Sequence, residues 1–482
     1  MPRVPLAHPD RLLPTEPSAR AVARELYEQT RLLPIVSMHG HIPAELFAKN
    51  EHFSDPTSLL VTPDHYVTRL LHSQGVSLEE LGLQPLKPKP GPSGRTEPRS
   101  IWRVFCRYWP ALQGTASSIW LSHELGELFG IDEVPSEDNA DRLYDLIADH
   151  LRSPEFLPRS LYARFRLEII ASTDASLDDL ASHASLRSDP TFDGSVIPTF
   201  RPDDIVDPSR PDWLGNVEKL EHTTQMPTAS FEGYLQAIIE RRRVFIAAGA
   251  LATDHGHPSA STLDLGRSRA SEVYERLRSG VSEPLDAENF RAHMVSEMAG
   301  MSCSDGLVLQ LHPGVVRDHD SDAAARFGRD IGGDFPAQVQ FTEALGPLLG
   351  RFGSNGSLKL VVYTVDEAAY GRELAPMASY YSALKLGAPW WFLDSPDAMR
   401  RCWRSAVESA GFWNFAGFVD DSRSLCSIPA RHDMARRIVS GELARLVCEH
   451  RLSIDSASEV ARAYAYDMPK QVFGMPQENA KT

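Results

Sequence analysis

The chain has 482 residues, of which 42% are hydrophobic, and its formal net charge is −16 at pH 7. This length is enough to bury a large core, and it predicts either more than one domain or one barrel with insertions. The negative charge repels phosphate backbones and acidic membrane surfaces, so we expect neither nucleic acid nor a membrane as a partner.

The cysteines and the apolar segments indicate the compartment. Cys106, Cys303, Cys402, Cys426 and Cys448 are odd in number and include no Cys-x-x-Cys pair, which argues against a disulfide framework and a structural zinc cluster. The first residues contain no uninterrupted apolar leader, and no apolar run approaches membrane-spanning length. We therefore expect a cytoplasmic protein, and we leave open whether it forms a homo-oligomer.

The first predicted strand, "LPIVSMH", ends in His39-Gly40-His41, just before a helix-like segment. Alternate side chains of an extended chain point the same way, so His39 and His41 would project together from the end of the strand. Two imidazoles placed there could bind a metal, although core or surface histidines often give the same short pattern. Position favours the metal if the chain is a barrel, because barrel enzymes carry their catalytic groups at the carboxyl ends of strands.

A long helical region is predicted after the histidine pair. Apolar residues recur at helical spacing in "TPDHYVTRLLHSQGVSLEELG", "SIWRVFCRYWPALQGTASSIWLSHELGELFGI" and "NADRLYDLIADHLRS". We interpret residues 52–160 as a helical insertion, preceded by an N-terminal segment with the first strand (1–51) and followed by the rest of the barrel (161–482). The Pro/Gly-rich stretch from Leu86 to Ser100 predicts an exposed loop or flap, and whether it is a lid stays open.

Short apolar segments alternate with helical ones in the rest of the chain. The predicted strands are "LEIIASTDAS", "GSVIPTFRPDD", "RVFIAAGALATDHG", "GLVLQLHPGVVRD", "KLVVYTVDE", "APWWFLDS" and "FAGFVDDSRS". Together with the first strand they make eight, each of the kind found in parallel sheets that are buried on both faces. Eight strands with helical crossovers predict an α/β fold, a (β/α)8 TIM-type barrel.

Charged and polar residues follow these strands, and a barrel would bring them to one rim. They are His39, His41, Asp174, Arg201, Asp254, His255, His312, Arg317, Asp394, Asp421 and Arg423. Any one could be a salt bridge or a surface group, and Asp174 and Asp394 could be helix N-caps. Asp421 would complete a set of two histidines and one aspartate, which suits zinc or manganese. Arg423 would lie on the same side if the strand continues.

Seven blocks of the sequence contain distinctive motifs, which are, in chain order, "MHGHIPAELFAKN", "TPDHYVTRLL", "ASTDASLDDLASH", "VIPTFRPDD", "LQLHPGVVRDHDSDAAARFGRDIGGD", "PWWFLD" and "DDSRSLCSIPARHDMARRIV". In order and content they resemble the landmarks of uronate isomerases (glucuronate isomerases), members of the amidohydrolase superfamily. The resemblance runs from about Pro34 to about Val439. Its specific parts are the "LHPGVVR" and "DSRS…RHDMARR" blocks, since His-x-His alone is common.

The resemblance implies an aldose–ketose isomerase that interconverts D-glucuronate with D-fructuronate, or D-galacturonate with D-tagaturonate. By position, His39, His41 and Asp421 would hold one divalent metal ion, with zinc as the first choice and manganese as the second. Asp421, Arg423, Tyr66 and His65 would form the catalytic set. The substrate, a small sugar acid, would be bound by Arg201, His312, Arg317 and one of Trp390 or Trp391.

These residue types suit an ene-diol reaction, which removes a proton from C2 and returns one to C1. Asp421 or Tyr66 could move the protons, and the metal, His312 or Arg423 could stabilise the oxyanion. The remote carboxylate of a uronate needs a guanidinium partner. Arg201 or Arg317 could supply it.

The chain also departs from the family pattern. Gly40 stands where Cys or a similar residue is usual, Asp420 stands where Thr is usual, "TDASLDD" replaces Asp-Asp-Pro, and Pro313 replaces a branched apolar residue. These changes predict an altered pocket and leave two alternatives open. One is a metal-dependent hydrolase or lyase of the same superfamily acting on a different small acidic substrate, and the other is a non-catalytic sugar-acid-binding or scaffold protein.

Overall fold

Seven parallel strands form the main sheet of the computed structural model, which describes residues 6–87, 96–354 and 356–475. In chain order the strands are β1 (Ile35–Ser37), β2 (Leu167–Ala175), β3 (Val196–Arg201), β4 (Ala252–His255), β5 (Val308–Leu311), β6 (Val315–Val316), β7 (Phe335–Pro336), β8 (Leu360–Val362) and β9 (Leu384–Leu386). The sheet order is β1-β2-β3-β4-β5-β8-β9, while β6 and β7 form a separate antiparallel pair. The predicted α/β class is confirmed.

Helices occupy the connections between the strands. Before β1 lies Pro17–Thr30, and between β1 and β2 lie Ala44–Lys49, Pro56–Leu60, His65–Ser73, Pro98–Arg107, Trp109–Leu112, Ala116–His123, Ala140–Leu151 and Pro158–Arg164, with a π-helix at Glu124–Leu128 and a 3-10 turn at Pro154–Phe156. From β2 to β5 they are Ala181–Ser188, Asp203–Val206, Trp213–Thr224, Phe231–Ala247, Gly266–Ser279 and Asp286–Asp305. After β5 they are Ser321–Phe327, Phe341–Ala344, Gly346–Phe352, Glu367–Ala369, Ala375–Ala378, Pro396–Ala410, Ser427–Cys448, Ile454–Arg462 and Met468–Val472, with π-helices at Tyr370–Leu374 and Ala463–Asp467 and a 3-10 turn at Phe412–Asn414.

Most of the buried apolar side chains of the described residues fall into two large clusters, and a third, small one joins Leu13, Ala23 and Ala444. The larger cluster surrounds the sheet, where every residue of β4, β5 and β8 is buried, as expected for a parallel sheet covered by helices. The second lies mainly among the helices between β1 and β2, where Phe47, Trp102 and Phe105 are fully buried. Burying a Phe side chain contributes roughly 1.5–3 kcal/mol. The same cluster includes Ile35, Leu167, Ile170 and Val196 of β1–β3, so it also packs these helices against that part of the sheet.

The last two predicted strands differ from the structure. "APWWFLDS" forms no strand, and β9 lies just before it, because Trp391 and Phe392 have left-handed backbone angles (φ +29° and +56°) that an extended strand does not contain. In "FAGFVDDSRS", Phe415 makes a single parallel bridge to Leu386 of β9.

The chain after Phe415 returns to β1. The Asp421 N–H donates to the His39 carbonyl at 3.2 Å, and the His41 N–H donates to the Ser422 carbonyl at 2.8 Å. This segment therefore lies beside the end of the first strand. In the predicted flap, residues 88–95 lie outside the described residues. Among the helices that are described, none is both long and apolar enough to cross a bilayer.

Candidate active site

One cavity of about 380 Å³ lies at the carboxyl ends of the strands. Every metal, catalytic and substrate candidate named from the sequence lines it: His39, His41, His65, Tyr66, Arg201, His312, Arg317, Trp390, Trp391, Asp421 and Arg423. Gly40, Pro313 and Asp420 are absent from its lining. Thr173 and Ala175 of the "TDASLDD" stretch do line it, so this departure from the family pattern alters the wall of the cavity directly, while the other three do not.

His39, His41 and Asp421 form a compact set of candidate metal ligands. His41 Nε2 and His39 Nε2 lie 3.1 Å and 3.4 Å from Asp421 Oδ1, and the three ligand atoms lie within 4.8 Å of one another. Burial opposes ionisation, but the nearby imidazoles hold the pKa of Asp421 well below its usual range. Two nitrogens and one anionic oxygen that face a shared point are a donor set suited to a divalent metal ion.

A hydrogen bond and the backbone conformation hold the Asp421 carboxylate in place. Trp390 Nε1 donates a hydrogen bond of 2.6 Å to Asp421 Oδ2, which leaves Oδ1 toward the histidines. The backbone of Asp421 is left-handed (φ +46°), a conformation that costs free energy in residues other than glycine. Such strain is common where surrounding contacts hold a functional side chain in place. A Cβ added at the neighbouring Gly40 would lie 3.6 Å from the Ser422 carbonyl oxygen, an ordinary contact, so a Cβ atom would meet no clash there.

Asp254 fixes which ring nitrogen of His312 carries the proton. Its Nδ1 lies 2.5 Å from Asp254 Oδ1, and its ring stacks on His39 at 4.2 Å. Burial lowers the pKa of His312 to about 4, so the ring is neutral at pH 7. The Asp254 carboxylate places the single ring proton on Nδ1, which leaves Nε2 as a free acceptor. Arg201 Nη1 lies 3.2 Å from the other oxygen of Asp254.

The other two candidate arginines are paired with acidic residues between β6 and β7. Arg423 Nη1 lies 2.8 Å from Asp330 Oδ2, and Arg317 Nη1 donates to Asp334 Oδ2 at 2.8 Å. The Arg317 guanidinium also lies over the ring of Trp391, 5.0 Å from its centroid. A substrate carboxylate would therefore have to compete with protein carboxylates for these cations.

His65 and Tyr66 reach the cavity from the helical region. Their helix, His65–Ser73, begins after Asp64, whose carboxylate accepts the Tyr66 N–H at 2.8 Å. The Tyr66 hydroxyl donates to Asp394 at 3.0 Å. Burial, with Asp394 adding to it, raises the pKa of Tyr66 well above its usual value, so the phenol keeps its proton. Burial lowers the pKa of His65 to about 4, so its ring is neutral at pH 7.

Sequence reasoning missed several residues of this site. Arg431 donates to Asp394 at 3.0 Å and lies over Trp120, 3.6 Å from its centroid. Asp330 and Asp334 were part of the "RDIGGD" block, but their partners belong to other segments and no local pattern reveals such pairs. Asp174 and Asp394 are not helix N-caps: Asp174 is in β2 and accepts from Ser172 Oγ at 2.8 Å, and Ser395 precedes the helix Pro396–Ala410.

A buried acid beneath the site makes stability depend on pH. Burial, with Asp64 adding to it, raises the pKa of Glu124 to about 8. A carboxyl whose pKa is raised on folding contributes stability that is fully present below its unfolded pKa and is lost as the pH rises through the folded value. The wild-type free energy of unfolding should therefore fall between pH 5 and pH 9, with the steepest part below about pH 8.

Glu124→Gln, which mimics the protonated form, should remove this part of the pH dependence. We expect the variant to be more stable than the wild type at pH 9 by on the order of a few kcal/mol, since one pKa unit is about 1.4 kcal/mol. Urea unfolding at pH 6 and pH 9 measures the effect, and Glu127→Gln, at an exposed position one turn away, is the control. Equal pH dependence in wild type and Glu124→Gln would contradict the buried-acid interpretation.

Comparison with known proteins gives consistent matches. A sequence profile described as glucuronate isomerase matches residues 17–473. A uronate isomerase of Rhizorhabdus wittichii is 47% identical over 466 residues, which cover 97% of this chain and 98% of the relative. The crystal structure of glucuronate isomerase from Caulobacter crescentus superposes with a TM-score of 0.95 at 42% identity and covers 99% of this chain and 98% of that one. The uronate isomerase structure from Thermotoga maritima gives 0.88 at 28% identity, with 96% and 98% covered.

Proposed function

This chain belongs to the glucuronate (uronate) isomerase family, and from that membership we propose that it interconverts a hexuronate, D-glucuronate or D-galacturonate, with its ketouronate. The reaction moves a proton between C2 and C1 and leaves the atomic composition unchanged. The observation that carries the proposal is the convergence of His39, His41 and Asp421 in a cavity whose lining also holds six arginines, among them Arg201, Arg317 and Arg423. The hydrolase, lyase and sugar-binding alternatives are not favoured, because the chain matches uronate isomerases over nearly its full length.

His39, His41 and Asp421 are the proposed ligands of one divalent metal ion, with zinc as the first choice and manganese as the second. When bound, the ion would supply positive charge that polarises the carbonyl and hydroxyl oxygens of the sugar. The two imidazoles contribute neutral nitrogens, and Asp421 contributes the anion. Trp390, through its hydrogen bond to Asp421 Oδ2, keeps the other oxygen available.

Asp421 and Tyr66 are the proposed proton-handling groups. The ionised Asp421 carboxylate can accept the proton from C2 and return it to C1 on the same face of the ene-diol. Tyr66 holds its proton at neutral pH and can donate it toward a substrate oxygen, with His65 packed against it at a ring distance of 5.3 Å. The neutral His312 and the cationic Arg423 would orient and stabilise the oxygens as charge develops on them.

The substrate carboxylate is proposed to bind Arg201 or Arg317. Both line the cavity, and a guanidinium can hold a carboxylate through two hydrogen bonds. Trp391, beneath Arg317, would keep that side chain extended toward the ligand. In an acidic chain, this local positive charge is what attracts an anion.

The finer points of the fold are also proposals. We propose that the segment from Phe415 to Ser422 occupies the eighth strand position and closes the barrel, supported by its bridge to Leu386 and its hydrogen bonds to the end of β1. We propose further that residues 52–160 are an insertion between the first and second barrel strands, supported by the helices that fill this interval and by the apolar cluster to which they contribute most of the residues.

Incubation of the purified protein with D-glucuronate or D-galacturonate in D2O, with saturating zinc or manganese, tests the function. The expected result is exchange at C2 together with formation of the ketouronate, because a proton removed from C2 can be replaced by a solvent deuteron before it is returned. Neutral D-glucose serves as the control and should react far more slowly, since it lacks the carboxylate. Failure to convert or exchange either uronate with both metals would overturn the isomerase assignment.

A further inference from the structure

The sequence His-Gly-His occurs twice at strand ends in this chain. The first copy, His39-Gly40-His41, follows β1, and the second, His255-Gly256-His257, is formed at the end of β4. The neighbouring strand β3 ends at Arg201, and Asp203 follows two residues later. The proposed function uses the first copy and leaves the second without a role.

The second His-Gly-His forms a compact set of candidate ligands with Asp203, like the set of His39, His41 and Asp421. Asp203 Oδ1 lies 3.2 Å from His257 Nε2, and one ligand atom from each of the three residues lies within 4.8 Å of the others. Two atoms that each lie about 2.0–2.1 Å from one tetrahedral ion are separated by roughly 3.3–3.4 Å. The spacing of Asp203 and His257 thus matches a shared ion.

The donor atoms of this second set are buried and incompletely partnered. Asp203, His255 and His257 are 4%, 1% and 4% exposed. Within the described residues, His257 Nε2 and His255 Nδ1 have no hydrogen-bond partner of acceptable geometry. Buried polar nitrogens are usually satisfied by protein, water or a ligand, so these two atoms are available to bind an ion.

The charges nearby are compatible with a cation. Asp203 Oδ2 accepts a hydrogen bond from Arg201 Nε at 2.9 Å and one from the Gly256 N–H at 3.1 Å. Asp203 Oδ1 faces His257 and takes only a long bond of 3.3 Å from the same N–H. The two carboxylate oxygens are thus divided between the arginine on one side and the histidine on the other.

We propose that Asp203, His255 and His257 form a second site for a divalent transition metal of the zinc type, separate from the one at His39, His41 and Asp421. Imidazole and carboxylate ligands select this class of ion over magnesium or calcium, which prefer oxygen-only shells. An ion there would fix Asp203 and, through it, the position of Arg201 in the cavity. The proposal does not depend on the proposed function, because the second set shares no ligand with the first.

Metal counting on the full-length protein tests this proposal. The metal-free protein is incubated with excess Zn²⁺, passed through a desalting column and analysed for zinc, with Co²⁺ absorption as a second readout. The expected result is one more equivalent of zinc in the wild type than in His257→Gln, and one more than in Asp421→Asn. His222→Gln, which alters an exposed histidine, should keep the full wild-type count.

The outcomes separate the two sites. A His257→Gln variant that retains as much zinc as the wild type would overturn the second site, and the cluster would then be a hydrogen-bonded support for Arg201. Circular dichroism checks the fold of each variant. If His257→Gln does not fold, the wild-type count and the same measurement on His255→Gln decide the question, and activity with uronates does not enter the test.

Discussion

Asp421→Asn is expected to lose the metal of the first site and to lower turnover by at least about 10²- to 10⁴-fold, the usual contribution of one acid/base or electrostatic group. The change removes the anionic member of the ligand set and the proposed proton acceptor while keeping the size of the side chain. Asparagine also tolerates the left-handed backbone found here, φ +46°, better than most residues, so folding should be spared. Zinc content and kcat/KM for the uronate measure the two losses.

A neighbouring carboxylate provides the control for this prediction. Asp420 is buried, and its Oδ2 lies 3.1 Å from His432 Nε2, away from the cavity. Asp420→Asn should keep the first metal even if it is less stable, because it removes no ligand. Asp421→Asn protein that retains its zinc and normal turnover would exclude Asp421 from both proposed roles.

Arg423→Met should be the second most damaging change, lowering kcat/KM by about 10²-fold or more while the protein stays folded and loaded with metal. The guanidinium lies in the cavity, and its charge acts on His41 and His65. Its ion pair with Asp330 is partly exposed, and such pairs contribute at most about 1 kcal/mol to stability. Methionine keeps the length and apolar character of the side chain without the charge.

Arg326→Met is the matched control, because Arg326, in the helix Ser321–Phe327, is an exposed arginine that pairs with Glu79 and does not line the cavity. It should leave kcat/KM near the wild-type value. Thermal unfolding and metal content are measured for both variants. If Arg423→Met unfolds readily while activity per folded molecule stays normal, Arg423 is a structural residue and its proposed role is wrong.

The sequence allowed most of the candidate site to be predicted because its residues lie at strand ends. His39, His41, Arg201, His312 and Asp421 each follow an apolar strand or strand-like segment, so a parallel sheet brings them together regardless of the exact register. Boundaries were harder to predict. "APWWFLDS" has strand composition, but Trp391 and Phe392 turn the backbone there, and composition alone does not encode that turn.

The ion-pair partners of the site residues could not be predicted from the sequence. The pairs Arg423 with Asp330 and Arg431 with Asp394 join segments far apart in the chain, and their formation depends on how loops and helices pack over the sheet. His257 is different, since the second His-Gly-His was visible in the sequence. The predicted strand "RVFIAAGALATDHG" ends at Gly256, so the strand-end pattern includes His255 but not His257.

The proposed metal ligands His39, His41 and Asp421 also have a consequence for biosynthesis. The two histidines follow β1, whereas Asp421 lies just before the long helix Ser427–Cys448, so the ribosome synthesises the histidines early and the aspartate late. Until the last segment has emerged and docked beside β1, the nascent chain carries two imidazoles without their carboxylate. Metal binding to the complete set favours only the finished fold, since ligands that are not yet assembled bind weakly. Metal capture should thus be a late event in the life of each new molecule, and a chain released before Asp421 cannot complete the set.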